Sequence, residues 1–379
     1  MRPKRFFLSV LATLGLLVGS ASDTGAHAQS GAQTDNPQRE DPWIIDTDMG
    51  REDWLALLLA LGHPSADILA ISVVGDGVGR CPAGAQTARA IVALASDDDD
   101  IPVACGADYP MDGYHAMPAD WRDATDISAF PALPPVPAEE APGDAVDLII
   151  ATLQSADRPV SILTIGPLTN VALALDQAPD IAPHIREIVM MAGAVYAAGN
   201  VAQPGSTDFP AGSTAEWNAF IDPVATAMVL SSGVSIRLVP LDATNHVPVT
   251  DRLSSALLDG IDTPQSRFAR EVVASVLEAG GFSFWDPLAA SVALDRAVCD
   301  YQMVPLLAND ATADQGWSYP GTTADFPPDN WQGVPRRHLE ANASGAIEID
   351  PDHGSWILVC SRPNVTAFTE SFRRSLAGG

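Results

Sequence analysis

The sequence predicts one doubly wound α/β domain, Rossmann-like, with a mainly parallel central sheet. Three observations lead there. Short apolar runs recur along the chain, a helix-like pattern follows several of them, and acidic or glycine residues stand where the runs end. Apolar runs that are continuous rather than alternating belong to strands covered on both faces, as in parallel sheets wound by helices.

In chain order, "PWIID" (Pro42–Asp46) reads as the first strand and Trp54–Leu61 as the first helix, closed by Gly62 and Pro64. "ILAISVVGD" precedes "AQTARAIVALA", and "VSILTIG" precedes "TNVALALDQ", giving two more strand–helix pairs. "IREIVMMAG" and "VSIRLVPLD" read as further buried strands. Asp46, Asp48, Gly75, Asp76, Gly166 and Gly193 fall at the carboxyl ends of these strands, where open α/β sheets bind ligands. The proline-rich "FPALPPVPAEEAPGD" (Phe130–Asp144) reads as a surface excursion, and no internal repeat is visible.

The chain has 379 residues, 47% of them hydrophobic, enough for a large core. Arg2, Lys4 and Arg5 precede an apolar stretch, Phe6–Val18, too short to span a bilayer comfortably. Ala26 and Ala28 occupy the small-residue positions of a cleavage site. A signal peptide over residues 1–28, a polar linker over 29–41 and a domain over 42–379 are expected, with an uncleaved anchor as the alternative. No cysteine follows the apolar stretch, so no lipoprotein anchor is expected, and a periplasmic or secreted bacterial location is. A net charge of −28 excludes nucleic-acid and anionic-membrane partners, which require basic patches, although it equally suits a solvated, salt-adapted surface. The only lysine is Lys4, inside the signal, which removes Schiff-base and P-loop chemistry. Cys81, Cys105, Cys299 and Cys360 lack zinc-type spacing. An exported chain can oxidise them, Cys299 with Cys360 being one candidate pair, and sequence alone does not decide the pairing.

"WIIDTDMGREDWLALLLAL" (Trp43–Leu61) crowds Asp46, Asp48, Glu52 and Asp53 at the mouth of a buried strand. Asp53 is expected in the first turn of the next helix, whose free amides tolerate negative charge. Two readings stay open at this point: a capping cluster of solvated acids, or a hard divalent cation held by oxygen ligands. Three further stretches bear on the choice. "SILTIGPLTNVALAL" joins a strand, a Gly-Pro turn and a helix start. "STAEWNAFIDP" places Glu216 and Asn218 two apart, on one face if extended, and "GFSFWDPLAA" sets Asp286 beside Trp285.

In this order the stretches resemble the inosine–uridine nucleoside hydrolase family. "DTDMGRED" is similar to its acidic amino-terminal signature, "TIGPLTNVA" to its central segment and "WDPLAA" to its late metal-binding segment, and the resemblance covers about residues 43–370. It implies a catalytic Ca²⁺ held by Asp48, Asp53, Asp286 and the backbone carbonyl of Ile165, where the family usually has Thr. Glu52 stands where the signature usually has Asp and is expected at a ribose hydroxyl. The implied reaction frees base and ribose from a nucleoside with no nucleotide cofactor: Asp48 takes a proton from a water on the Ca²⁺, and Glu52, Asn200, Glu216, Asn218 and Asp286 grip the sugar. Relatives are commonly homodimers or homotetramers.

Many family members carry His before the late Asp, and here Trp285 stands there. Together with "MAGAVYAAGNV", which includes Met191 and Asn200, with "DATNHVPV", with the insertion before "TAEWN" and with "MPADWRD", this is similar to the purine-specific, inosine–adenosine–guanosine-preferring branch. A purine stacked between Trp121 and Trp285 becomes easier to protonate at N7, with Asp76 a candidate base contact. Core packing is the alternative for either ring. The rival readings are a broad or pyrimidine-specific hydrolase and a non-catalytic nucleoside-binding protein. A dehalogenase-type phosphatase also uses Asp-x-Asp, but it needs a later lysine, which the mature chain lacks.

Overall fold

Regular structure begins with β1 (Asp41–Thr47), α1 (Arg51–Leu61), β2 (Ala66–Val73), α2 (Ala83–Ala95) and β3 (Val103–Cys105). Helices α3 (Ala119–Asp126) and α4 (Ala145–Ser155) lead to β4 (Val160–Thr164), α5 (Thr169–Gln177) and β5 (Ile185–Met190). Next come α6 (Trp217–Ile221), α7 (Pro223–Ser231), β6 (Ile236–Leu238), α8 (Leu241–Thr244), α9 (Asp251–Leu258), α10 (Pro264–Ala279) and α11 (Trp285–Leu294). The last elements are β7 (Cys299–Ala308), β8 (Ile347–Ile349), β9 (Ser355–Pro363) and α12 (Val365–Leu376). The computed structural model describes residues 41–96, 101–111, 115, 117–128, 130–137, 143–201, 214–310 and 344–377. The expected signal peptide, nearly all of the linker and the insertion before "TAEWN" lie outside the described residues, within which no helix is long and apolar enough to cross a membrane.

Among the described residues the strands form one sheet in the order β3-β2-β1-β4-β5-β6-β9-β7-β8. Every pairing from β3 through β9 is parallel, and β7 runs antiparallel to both β9 and β8. The doubly wound class expected from the sequence is the one observed, and the antiparallel edge is an addition to it. The winding runs outward from β1 through β2 to β3, then returns to the other side of β1 as β4. That reversal is the topological switch point, where side chains at the carboxyl ends of β1 and β4 face a shared crevice.

Alternate strand residues feed two cores. Trp43 and Ile45 pack with α1, α2, α10, α11 and α12, whereas Ile44 packs with α4, α5 and α7 on the opposite face. Helix α1 is buried from Asp53 to Ala60, hence its nearly unbroken apolar sequence. It begins at Arg51 rather than at Trp54, with Gly50 as its cap, so Glu52 and Asp53 both lie in its first turn. A buried ion pair holds α11 in place: Arg237 meets Glu187 at 2.9 and 2.8 Å and donates to the carbonyls of Val292 and Ala293. The described residues of the proline-rich stretch, 130–137, 143 and 144, form no helix or strand and none is fully buried, although Phe130, Ala132 and Leu133 pack against the core.

Cys299 is bonded to Cys360 and Cys81 to Cys105. The first bond ties β7 to β9 across a sequence separation of 61 residues. Replacing both Cys299 and Cys360 by Ser is expected to cost about 2–4 kcal/mol of stability by restoring freedom to the unfolded chain. Calorimetry should show the loss as a lower Tm.

Candidate active site

The acidic loop leaves β1 at the switch point and is fastened by its neighbours before any ligand is considered. Asp48 Oδ2 accepts from the Val78 N–H at 2.8 Å, and the Asp48 carbonyl accepts from the Gly79 N–H at 2.7 Å. A Cβ at Gly77 would stand 2.1 Å from the Asp48 Cβ, and one at Gly166 would stand 2.8 Å from it. Only glycine fits at either place, so Asp48 is seated between the loops that follow β2 and β4.

Asp53, in the first turn of α1, accepts from Thr47 Oγ1 at 2.5 Å. One oxygen each of Glu52, Asp53 and Asp286 lie within 4.8 Å of one another, and Asp286 reaches this point from the first turn of α11. Asp48 adjoins the group electrostatically: its charge and that of Asp286 both act on Asp53. Burial raises all four pKa values, and mutual repulsion adds to it: Asp53 is pushed well up by Asp48, Asp286 and Glu52, and Glu52 to about 7. Arg122 beside Asp48 and Arg51 beside Glu52 offset part of that charge. An all-carboxylate set, buried except for the partly open Glu52 and carrying this much uncompensated charge, fits a hard divalent cation, which takes oxygen ligands at close range. Relative to the set expected from sequence, the tightest cluster contains Glu52, with Asp48 at its side.

Ile165 presents its carbonyl at the same crevice, where Asn218 Nδ2 donates to it at 3.4 Å and to the Met191 carbonyl at 3.0 Å. Glu216 and Asn218 do converge on the site, but not from an extended segment. Glu216 is the N-cap of α6, accepting from the N–H groups of Asn218 and Ala219 and, across the crevice, of Gly193 at 2.8 Å. A capping carboxylate satisfies the free amides of a helix start, which explains an acid at that position without extension. Burial raises Glu216 to about 7. Asn200 spends its Oδ1 on the Trp217 N–H at 3.1 Å.

Asp76 is turned toward α5: its Oδ2 meets Thr169 Oγ1 at 2.6 Å, and the same hydroxyl meets Asp222 Oδ2 at 2.7 Å. A hydroxyl has one hydrogen to donate, so one of these carboxyls must be protonated and donate back. Burial and the nearby Asp222 hold Asp76 well above the usual carboxylate range. Asp46 likewise is buried, raised to about 7, and accepts on Oδ1 from Ser72 at 2.5 Å and Asn170 at 2.9 Å. Asp222, Thr169, Asn170 and Thr47 were not singled out from sequence. All four stand inside quoted motifs, but the bonds described here join Thr169, Asn170 and Asp222 to partners 53 to 124 positions away, whereas Thr47 bonds Asp53 six positions away.

The two expected stacking rings differ in setting. Trp285 opens α11, packs tilted on Phe282 at 5.6 Å, and keeps a buried indole N–H with no partner among the described residues. Trp121 lies on α3, is 41% exposed, and meets Trp217 edge-on at 5.3 Å. Ion pairs from Arg80 to Asp123 and Asp126 hold α3 against the loop after β2.

The family model described as inosine-uridine preferring nucleoside hydrolase matches residues 43–353. Over 208 residues the chain is 39% identical to an uncharacterised protein, C1683.06c, of Schizosaccharomyces pombe, covering 54% of this chain and 62% of that one. Over 212 residues it is 32% identical to the pyrimidine-specific ribonucleoside hydrolase RihB of Escherichia coli, covering 55% and 61%. The chain thus spans under two thirds of the length of these curated relatives. Its fold is similar to that of a purine-preferring ribonucleoside hydrolase from Gardnerella vaginalis, with a TM-score of 0.65 at 22% identity, over 89% of this chain and 98% of that one.

Proposed function

This chain belongs to the inosine-uridine preferring nucleoside hydrolase family, and from that membership we propose that it hydrolyses the N-glycosidic bond of purine ribonucleosides, releasing free base and ribose. The observation that carries the reading is the cluster at the switch point of the buried Asp48, Asp53 and Asp286 with the partly buried Glu52. Asp48, Asp53, Asp286 and the Ile165 carbonyl, with Glu52 beside them, would hold a divalent cation, and their all-oxygen chemistry favours Ca²⁺. When bound, the cation supplies the positive charge that makes a nearby water acidic.

The chain's own residues do the rest. Asp48 accepts the proton of the attacking water as general base. Glu52, Asn200, Glu216, Asn218 and Asp286 hold the ribose hydroxyls, and bonds that tighten as positive charge develops at the anomeric carbon lower the barrier selectively. Met191 and Asn218 line the sugar side, whereas Asp76 is held by Thr169 of α5 rather than offered to the base. Trp285, in place of a protonating side chain, stacks on the base opposite Trp121 and makes a purine easier to protonate by solvent. Export after cleavage at Ala28 and assembly as a homodimer or homotetramer complete the reading.

Trp285→Ala tests the leaving-group role. Aromatic stacking used equally in the ground and transition states is worth roughly 0.5–1.5 kcal/mol, a change of about tenfold or less that appears in KM alone. Activation of the base predicts a larger loss, in kcat. The variant should be far less impaired on p-nitrophenyl riboside, whose leaving group departs without protonation, than on inosine. Equal impairment on both would reduce Trp285 to packing.

A pyrimidine or broad preference is the second reading, favoured by the identity to RihB. A panel of inosine, adenosine, guanosine, uridine and cytidine, assayed with and without chelator, separates the readings. Turnover of purines above pyrimidines, lost with chelator, supports the first. No turnover of any member would leave a nucleoside-binding protein.

A further inference from the structure

Met49 has a left-handed backbone (φ 59°), and among the described residues every other positive φ belongs to glycine. It stands between Asp48 and Gly50, where β1 gives way to α1. A side chain makes that conformation unfavourable, so something must hold it. The turn also takes the Met49 N–H and C=O out of both the strand ladder and the helix ladder, and both groups are buried with the residue.

Two side chains receive them. The Met49 N–H donates to Thr47 Oγ1 at 3.1 Å, and the Met49 carbonyl accepts from the Trp54 indole N–H at 3.0 Å. Trp54 is 1% exposed, stacks on Phe268 of α10 at 6.2 Å, and meets Phe130 edge-on at 5.4 Å. Those contacts need only an aromatic ring, not an N–H. Burial alone does not supply an indole with an acceptor in this protein either, because the Trp43 and Trp285 indole nitrogens are buried without one among the described residues.

We propose that Trp54 is a positioning residue for the acidic site: its indole N–H locks the Met49 turn and thereby sets the first turn of α1, with Glu52 and Asp53, against Asp48. Asp48 is already fixed by Val78, Gly79, Gly77 and Gly166, so freedom at residue 49 is expressed on the helix side. With the Met49 carbonyl released, residue 49 relaxes toward a right-handed or extended backbone, and the Glu52–Asp53 pair rotates away from Asp48 and Asp286. The proposal deepens the nucleoside hydrolase reading and rests on it.

Trp54→Phe keeps an aromatic ring against Phe130 and Phe268 and deletes only the donor and the second ring. Losing a buried hydrogen bond corresponds to about tenfold in an equilibrium or rate. Accordingly Trp54→Phe should weaken Ca²⁺ binding, measured by titration calorimetry, about tenfold and lower kcat on the best nucleoside by a similar factor. KM, set also by Asn200, Glu216 and Asn218, which the turn does not carry, should move less. Leu153→Ala, a lesion in the opposite core within α4, should lower Tm while leaving Ca²⁺ affinity and kcat within about twofold. If phenylalanine prevents folding, 3-benzothienylalanine at position 54, which keeps the ring size and replaces N–H by sulfur, should give the same two losses. Unchanged Ca²⁺ affinity and kcat in a folded Trp54 variant would overturn the proposal, as would losses no greater than those of Leu153→Ala at matched Tm. Wild-type turnover is the separate test of the hydrolase reading, whereas the ratio of variant to wild-type Ca²⁺ affinity tests Trp54 whatever the substrate.

Discussion

Asp53→Ala is expected to abolish nucleoside turnover and Ca²⁺ binding together, and a chelator should do the same to the unaltered protein. Asp53 is the carboxylate most hemmed in by the others, with Asp48, Asp286 and Glu52 each adding to the effect of burial on its pKa. In the proposed reading a divalent cation compensates this charge, so removing Asp53 takes away a ligand and not merely a polar side chain. The fold should survive the change. Alanine suits a helix interior, and the lost hydrogen bond from Thr47 leaves a hydroxyl that still accepts from the Met49 N–H. A thermal measurement separates the two effects. Ca²⁺ at a hundred times its dissociation constant stabilises the form that binds it by about 2.7 kcal/mol. The unaltered protein should therefore melt higher with Ca²⁺ and Asp53→Ala should not. Full activity of a metal-free, chelated preparation would sink the calcium reading and the ligand role of Asp53 with it.

Which parts of this arrangement were legible in the sequence follows from the range of the signals. Strand–helix alternation is local, so β1, β2, β4, β5, α2 and α5 stand close to where apolar continuity places them. The acidic motif is also local, and Asp48, Glu52 and Asp53 could be paired with the distant Asp286 only because a family resemblance supplied the long-range link. The strands β7 and β9 were missed because their exposed positions, among them Met303 and Trp356, break both the continuous and the alternating pattern. Period-two spacing and a helix cap look alike over three residues, so the spacing of Glu216 and Asn218 does not reveal the cap that Glu216 makes. The Asp76–Thr169–Asp222 bridge joins three segments and leaves no spacing to read. Trp54 looked like one more apolar position of α1, and only the left-handed Met49 shows why an indole N–H matters there.

Asp48→Asn is expected to lower kcat by about 10²- to 10⁴-fold, the range general-base catalysis supplies. Asparagine has the shape of aspartate, which matters at this position, since Gly77 and Gly166 leave no room for a larger or displaced side chain. The Val78 N–H fixes how the new amide must turn: its oxygen has to accept from Val78, as Asp48 Oδ2 does at 2.8 Å. The amide nitrogen then takes the place of Asp48 Oδ1, on the side away from Val78. The substitution therefore preserves the hydrogen bond from Val78 and the fold while removing the group assigned to take the proton of the attacking water. Part of any loss will come from weaker cation binding, because a neutral amide replaces a charge. Repeating the assay over a range of Ca²⁺ concentrations isolates that part. A deficit that saturating Ca²⁺ repairs belongs to binding, and the deficit that persists at saturation belongs to the base. KM for the nucleoside should change little, because the hydroxyls of the sugar are assigned to Glu52, Asn200, Glu216, Asn218 and Asp286. A variant that binds Ca²⁺ normally and turns over at the wild-type rate would remove Asp48 from the chemistry and transfer the search for the base to Glu52, the partly open carboxylate of the cluster with a pKa of about 7.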